Sequence, residues 1–105
     1  MSVSRYEVRA TLAFFADLDR QLPPERGPAG QPSTNDFQAF ELLAIVERFA
    51  VGFDELPELI DGRPDYRVLI ATGLLVQGFT VVGQLAADGA VELVALELDL
   101  GNELH

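Results

Sequence analysis

Cysteine and lysine are both absent from this 105-residue chain, and its one histidine, His105, is the last residue. Without cysteine there are no disulfides, thiolate metal sites or thiol nucleophiles, and a reducing cytoplasm is the expected location. Without lysine, seven arginines face 17 acids, for a formal net charge of -10. The deficit is uneven: residues 1–53 hold five Arg and seven acids, whereas residues 54–105 hold two Arg and ten acids. Such a surface repels phosphate, because nucleic-acid affinity comes largely from Lys and Arg neutralising the backbone. Direct nucleic-acid binding is therefore disfavoured, and protein or small-molecule partners are expected. The same charge also keeps a small, rather apolar protein dispersed.

The length suits one domain, residues 1–105, with a single core. No internal repeat is visible, and MSVSRYEVRA lacks the apolar centre of a signal peptide, so export is not expected. Ser4 to Arg9 alternates polar and apolar residues and reads as a short strand at a sheet edge. From Thr11 the period lengthens. Phe14, Phe15, Leu18 and Leu22 form one stripe, predicting a helix over 11–22 that Pro23-Pro24 stops. PPERGPAGQPS, residues 23–33, is a Pro/Gly loop. Ser33 or Thr34 then caps a second helix over 34–51, with Asp36 near its positive end. Its buried stripe is read as Leu42, Leu43, Val46, Phe49 and Ala50, and its wet face as Gln38, Glu41 and Arg48. Gly52 stops it. FDELPELIDGRPD has room for one short helical turn.

VLIATGLLVQGFTVVGQLAA, residues 68–87, carries no charge. A membrane span needs about 20 apolar residues, so length alone permits one. Three features favour strands. Gly73, Gly78 and Gly83 each cost a helix roughly 1 kcal/mol against Ala. Val, Ile, Thr and Phe are frequent. Asp88-Gly89 between two apolar segments signals a hairpin whose turn positions want positive φ. Strands are expected over 66–72, 74–86 and 90–100, with Thr72-Gly73 as the first corner and no membrane-spanning segment. Gly78 or Gly83 marks a bulge in the middle strand. In the last strand the apolar phase slips near Val94-Ala95, so either a bulge sits there or both faces are covered. The middle strand is apolar on both faces, with Leu74, Val76, Thr80 and Val82 on one and Leu75, Phe79, Val81 and Leu85 on the other. Two short helices must cover them, so either one face is left for a partner or the chain's own loops close it.

The order strand, helix, helix, three-stranded meander resembles the RelE/ParE superfamily of bacterial toxins over roughly residues 5–100. YEVRATLAFFADLDRQL resembles the family's opening strand and helix, LPELIDGRPDYRVLIATGLLVQGFTV its arginine-led second strand, and ADGAVELVALEL its last turn and strand. The resemblance implies an α+β fold with one sheet and the helices on one face. It also implies a role in a toxin–antitoxin system. RelE-type members cut messenger RNA, which needs a base, an acid and cations for the phosphate. Arg67 falls at the family's strand arginine and Arg63 lies just before it. The second strand arginine is missing: the region reads LLVQGF, with Gln77 nearby. No Tyr follows Tyr66, and His105 is terminal. This pattern is nearer to ParE-type members, which lack that nuclease set and act on DNA gyrase.

No catalytic residue, metal ligand or cofactor is therefore assigned. Arg63, Arg67, Gln77 and Phe79 are the candidate contacts to a partner. Arg67 is expected to pair with an acid such as Asp65 or Asp99. Asp54, Glu55, Glu58, Asp61 and Asp65 match no metal loop and read as a solvated acidic segment. No Gly-rich phosphate loop follows a strand, and Ser is too sparse for a hydrolase triad. The expected partner is an antitoxin-like protein or a target protein. The other reading is a non-toxic module that buries an apolar sheet face in a homodimer.

Overall fold

A computed structural model describes residues 5–28 and 30–100. Its elements are β1 (Val8–Ala10), α1 (Leu12–Gln21), α2 (Thr34–Phe40), α3 (Leu42–Gly52), a 3-10 turn (Phe53–Glu55), β2 (Tyr66–Ala71), β3 (Gly78–Leu85) and β4 (Val91–Asp99). The four strands form one sheet in the order β1-β4-β3-β2. β2, β3 and β4 make the expected antiparallel meander, but β1 runs parallel to β4. Phe14 and Leu18 of α1 and Ile45 and Phe49 of α3 pack with Leu69, Val81, Leu93 and Leu96 in one cluster. The helices thus lie on one face of an α+β layer pair. Among the described residues no helix is long and apolar enough to cross a membrane. The uncharged run 68–87 is most of β2, a connection, β3 and the start of a turn.

β1 is shorter than the strand expected over 4–9, and Ser4 lies outside the described residues. The Tyr6 N–H is spent on the Ala50 carbonyl (2.9 Å), which ties the chain to the end of α3 before the sheet begins. At the other end of β1, the Thr11 N–H and hydroxyl both donate to Leu93 O, while Thr11 Oγ1 accepts from Phe14 N as the N-cap of α1. Where β1 stops, α1 takes over the edge of β4. Asp17 accepts from Leu96 N (2.9 Å), and the Gln21 amide accepts from Leu98 N (2.7 Å) and donates to Leu96 O (2.8 Å). One turn apart on the helix, these side chains occupy edge groups that would otherwise template another strand.

The single helix expected over 34–51 is two helices. Ser33 and Asp36 form a reciprocal capping box at α2, and Arg26 of the Pro/Gly loop grips Asp36. The axis then breaks at Glu41, whose φ of -113° departs from the helical value. Glu41 was expected on the wet face, yet it is 3% exposed. Its carboxylate turns inward and accepts from Leu75 N (2.6 Å) and Val76 N (3.4 Å). Leu43, expected inside, is 73% exposed, and Ile45 takes the buried position. Phe49 and Ala50 are buried as expected.

The same bond corrects the start of β3. Residues 74–77 are a bent connection rather than strand, because the loop is drawn onto Glu41. Consequently Thr72-Gly73 is not a tight corner. The bulge expected in the middle strand lies in β4 instead: Val82 pairs with Ala95 but Gly83 pairs with Leu93, leaving Val94 as the extra residue opposite Gly83. The β3–β4 turn closes with Gly89 N to Ala86 O and Ala86 N to Ala90 O. Only Gly89 has positive φ (91°), so this is a three-residue loop rather than the two-residue turn expected. On the far edge, residues 57–59 run along β2, with Leu59 N on Tyr66 O and Val68 N on Pro57 O.

Three carboxylates in these joints are held below their ordinary range. Asp36 is lowered to about 2, chiefly by the Arg26 guanidinium and then by the Ser33 N–H. Asp17 is lowered by the Leu96 N–H and then Arg20, and Asp88 by the Ala90 N–H and then Arg9. A depressed carboxylate stabilises the fold fully above its unfolded pKa, about 3.9 for Asp, and loses that contribution as pH falls through the folded value. Urea midpoints followed by circular dichroism should therefore fall steadily from about pH 5 towards pH 2. Asp36→Asn should lower the neutral-pH midpoint and flatten the slope.

Candidate functional site

Arg67 opens β2 on the helix-side face, in register with Gly83. Its Nε donates to Pro64 O (2.7 Å) and its Nη1 to Leu56 O (2.8 Å) and Asp54 O (3.4 Å). The guanidinium lies 5.7 Å from the centre of the Phe53 ring. Its partners are thus backbone carbonyls, not the acid expected, and it pins the 54–64 segment to the sheet. Asp65 goes instead to Arg63, which donates to both carboxylate oxygens (3.0 and 2.8 Å) and stacks 5.0 Å over Tyr66. That fork holds Asp65 below the usual carboxylate range.

Gln77 is exposed in the connection just before β3, and Phe79 is buried on the helix-side face, opposite Ala71. The register therefore brings Arg63 near Arg67, and Gln77 near Phe79, at opposite ends of the β2–β3 hairpin. They do not form one cluster. The acidic segment has its own partners: Asp54 accepts from the Tyr6 hydroxyl, and Glu58 from Gly62 N. Among the described residues no group of three or more His, Cys, Asp or Glu side chains is placed to hold a metal ion. His105 lies outside the described residues.

Among the described residues, a hollow of about 500 Å³ lies between the Pro/Gly loop, Leu22, Leu75 and Leu100, and two further surfaces stand open. The first is the sheet face away from the helices. Its cross-strand rows are Ile70–Thr80–Glu97, Val68–Val82–Ala95 and Tyr66–Gln84–Glu92, the last extended by Arg9. Ile70 is 72% exposed, and a shallow hollow of about 400 Å³ lies between it, Thr80 and Glu97. The second is a groove of about 440 Å³ between α3 and the β2–β3 connection, floored by Ile45, Leu69 and Phe79 and walled by Leu74. The first was one of two outcomes read from a middle strand apolar on both faces. The second was not, because no local pattern signals how α3 crosses the sheet.

No family model matches the chain, and neither a curated protein nor a solved structure matches it significantly.

Proposed function

We propose that this chain is a protein-binding domain of the RelE/ParE toxin type, acting in the cytoplasm on a partner protein rather than by cutting RNA. The observation that carries the reading is the one-sided sheet. Helices cover one face, while the other exposes Ile70 (72%) beside half-buried Thr80, Val82 and Ala95, bordered by Glu92 and Glu97, with only Val68 of that face buried. An apolar patch with a polar rim is the usual form of a protein-contact surface. The element order, one strand, helices and then a three-stranded meander, supports the toxin-like layout.

RNA cleavage has less support. Its transition state needs free cations near the phosphate. Here the Arg63 fork is closed on Asp65, and Arg67 is spent on carbonyls. The charge of -10 opposes approach to ribosomal RNA.

Induced expression in a bacterial host tests the reading. The expected result is growth arrest that co-expression of a small neighbouring reading frame relieves. Ile70→Asp should abolish the arrest while leaving the circular dichroism spectrum unchanged. Normal growth at high soluble expression would remove the toxin reading. A dimer that persists on dilution and dissociates in Ile70→Asp would put a second copy on the sheet face instead.

A further inference from the structure

Arginine is the chain's only basic side chain apart from the terminal histidine, and acids outnumber it 17 to seven. Every arginine should therefore find an acid, and most do. Arg5 pairs with Glu47, Arg9 with Asp88, Arg20 with Asp17, Arg26 with Asp36 and Arg63 with Asp65. Arg67 is held by carbonyls. Arg48 alone makes no hydrogen bond, ion pair or ring contact among the described residues. It is exposed, and it lines the groove between α3 and the β2–β3 connection.

The rest of that groove offers Arg48 nothing. Its two carboxylates are engaged, Glu41 by the amides of Leu75 and Val76 and Glu47 by Arg5. The remaining lining is almost wholly apolar. Leu74, the wall, is 81% exposed, and Leu43, one helical turn before Glu47, is 73% exposed. A guanidinium beside bare aliphatic surface, in a chain with ten surplus negative charges, calls for an incoming carboxylate, which it can clasp through two parallel bonds.

The shape decides what brings that carboxylate. Small-molecule sites enclose roughly 70–90% of their ligand. This groove is open to solvent, and its apolar wall Leu74 is 81% exposed, surface that a small ligand would leave bare. A second copy of the chain would set -10 against -10. We propose that the groove seats a short apolar segment of a partner protein that carries an Asp or Glu side chain for Arg48. This rests on the protein-binding reading above and gives it a second surface, distinct from the sheet face.

The test is a displayed library of random peptides, each about a dozen residues long, panned on the full folded chain. Enriched peptides are then titrated against wild type, Arg48→Ala, Arg48→Glu and Ile70→Asp. The expected peptides share an acid among apolar residues and lose about tenfold or more in affinity on Arg48→Ala. Replacing their acid by Lys should restore binding to Arg48→Glu, the signature of a direct charge pair. Ile70→Asp should leave their affinity unchanged. Peptides indifferent to Arg48 but lost on Ile70→Asp would overturn the groove and keep protein binding at the sheet face. No enrichment at all would count against both. A dimer abolished by Leu74→Asp would put a second copy in the groove and overturn the proposal.

Discussion

Gly83→Val will lower the melting temperature by roughly 15 °C or more, at a cost of about 3 kcal/mol or above. Gly83 sits on the helix-side face of β3, where a Cβ would come 2.5 Å from Phe49 Cε1, 2.8 Å from Cδ1 and 3.1 Å from Val91 Cγ1. Phe49 and Val91 are fully buried, so neither can swing into solvent. Overpacking a dense core ordinarily costs about 1–3 kcal/mol, and valine adds three carbons where there is room for none. A domain of this size has a total stability of only about 5–15 kcal/mol, so the loss is a large share. The cause is checked by a double-mutant cycle. Phe49→Leu shortens the ring and destabilises alone, but in that background Gly83→Val should cost much less. Urea and thermal melts of the four proteins would show it, whereas additive losses would mean that the ring and the new side chain do not meet.

Gly83 also shows why the sheet was legible. The meander is specified by alternation, which is local. Val91, Leu93, Leu96 and Leu98 change phase once along β4, and that slip became the bulge at Val94 opposite Gly83. The antiparallel meander and the general place of the hairpin followed from residues within a few positions of each other, and the bulge was one of two readings of the slip; the parallel pairing of β1 with β4 was not legible. The helix break did not. By periodicity Glu41 belongs with Gln38 and Arg48 on the wet face, and Leu43 belongs with Leu42 inside. Only the amides of Leu75 and Val76, 34 and 35 positions later, make burial of Glu41 favourable and turn Leu43 outward. The same distant contact converted residues 74–77 from expected strand to loop.

The candidate site divides in the same way. Arg63 and Arg67 were legible as neighbours at a strand start, but not their partners. Carbonyls that hold a guanidinium leave no mark in the sequence, whereas an acid does, so Arg67 was expected on Asp65 or Asp99. The groove beside Arg48 depends on where α3 lies over the sheet, which no periodicity encodes. Its outer wall depends on the fold of the 72–77 connection, and therefore on Glu41.

Glu41→Ala should accordingly destabilise the chain by about 2–4 kcal/mol, since it removes a charge-assisted bond, strands buried N–H groups and leaves a cavity. The carboxylate is 3% exposed and reaches two amides, one at 2.6 Å and a longer one at 3.4 Å. Glu41→Gln keeps an acceptor at nearly the same place but brings a donor with no assigned partner, so its loss should be smaller, about 1–2 kcal/mol. Hydrogen exchange separates this local role from general damage. In Glu41→Ala the amides of Leu75 and Val76 should exchange much faster under native conditions, while those at the start of β4, Val91 to Leu93, paired at the other end of β3, keep their protection relative to the lowered global stability. Unchanged exchange at Leu75 and Val76 would mean that the carboxylate does not hold the loop. Released from Glu41, the connection would no longer hold Leu74 against the groove. The variant should then weaken a groove-bound peptide even with Arg48 intact, and leave any contact made at Ile70 untouched.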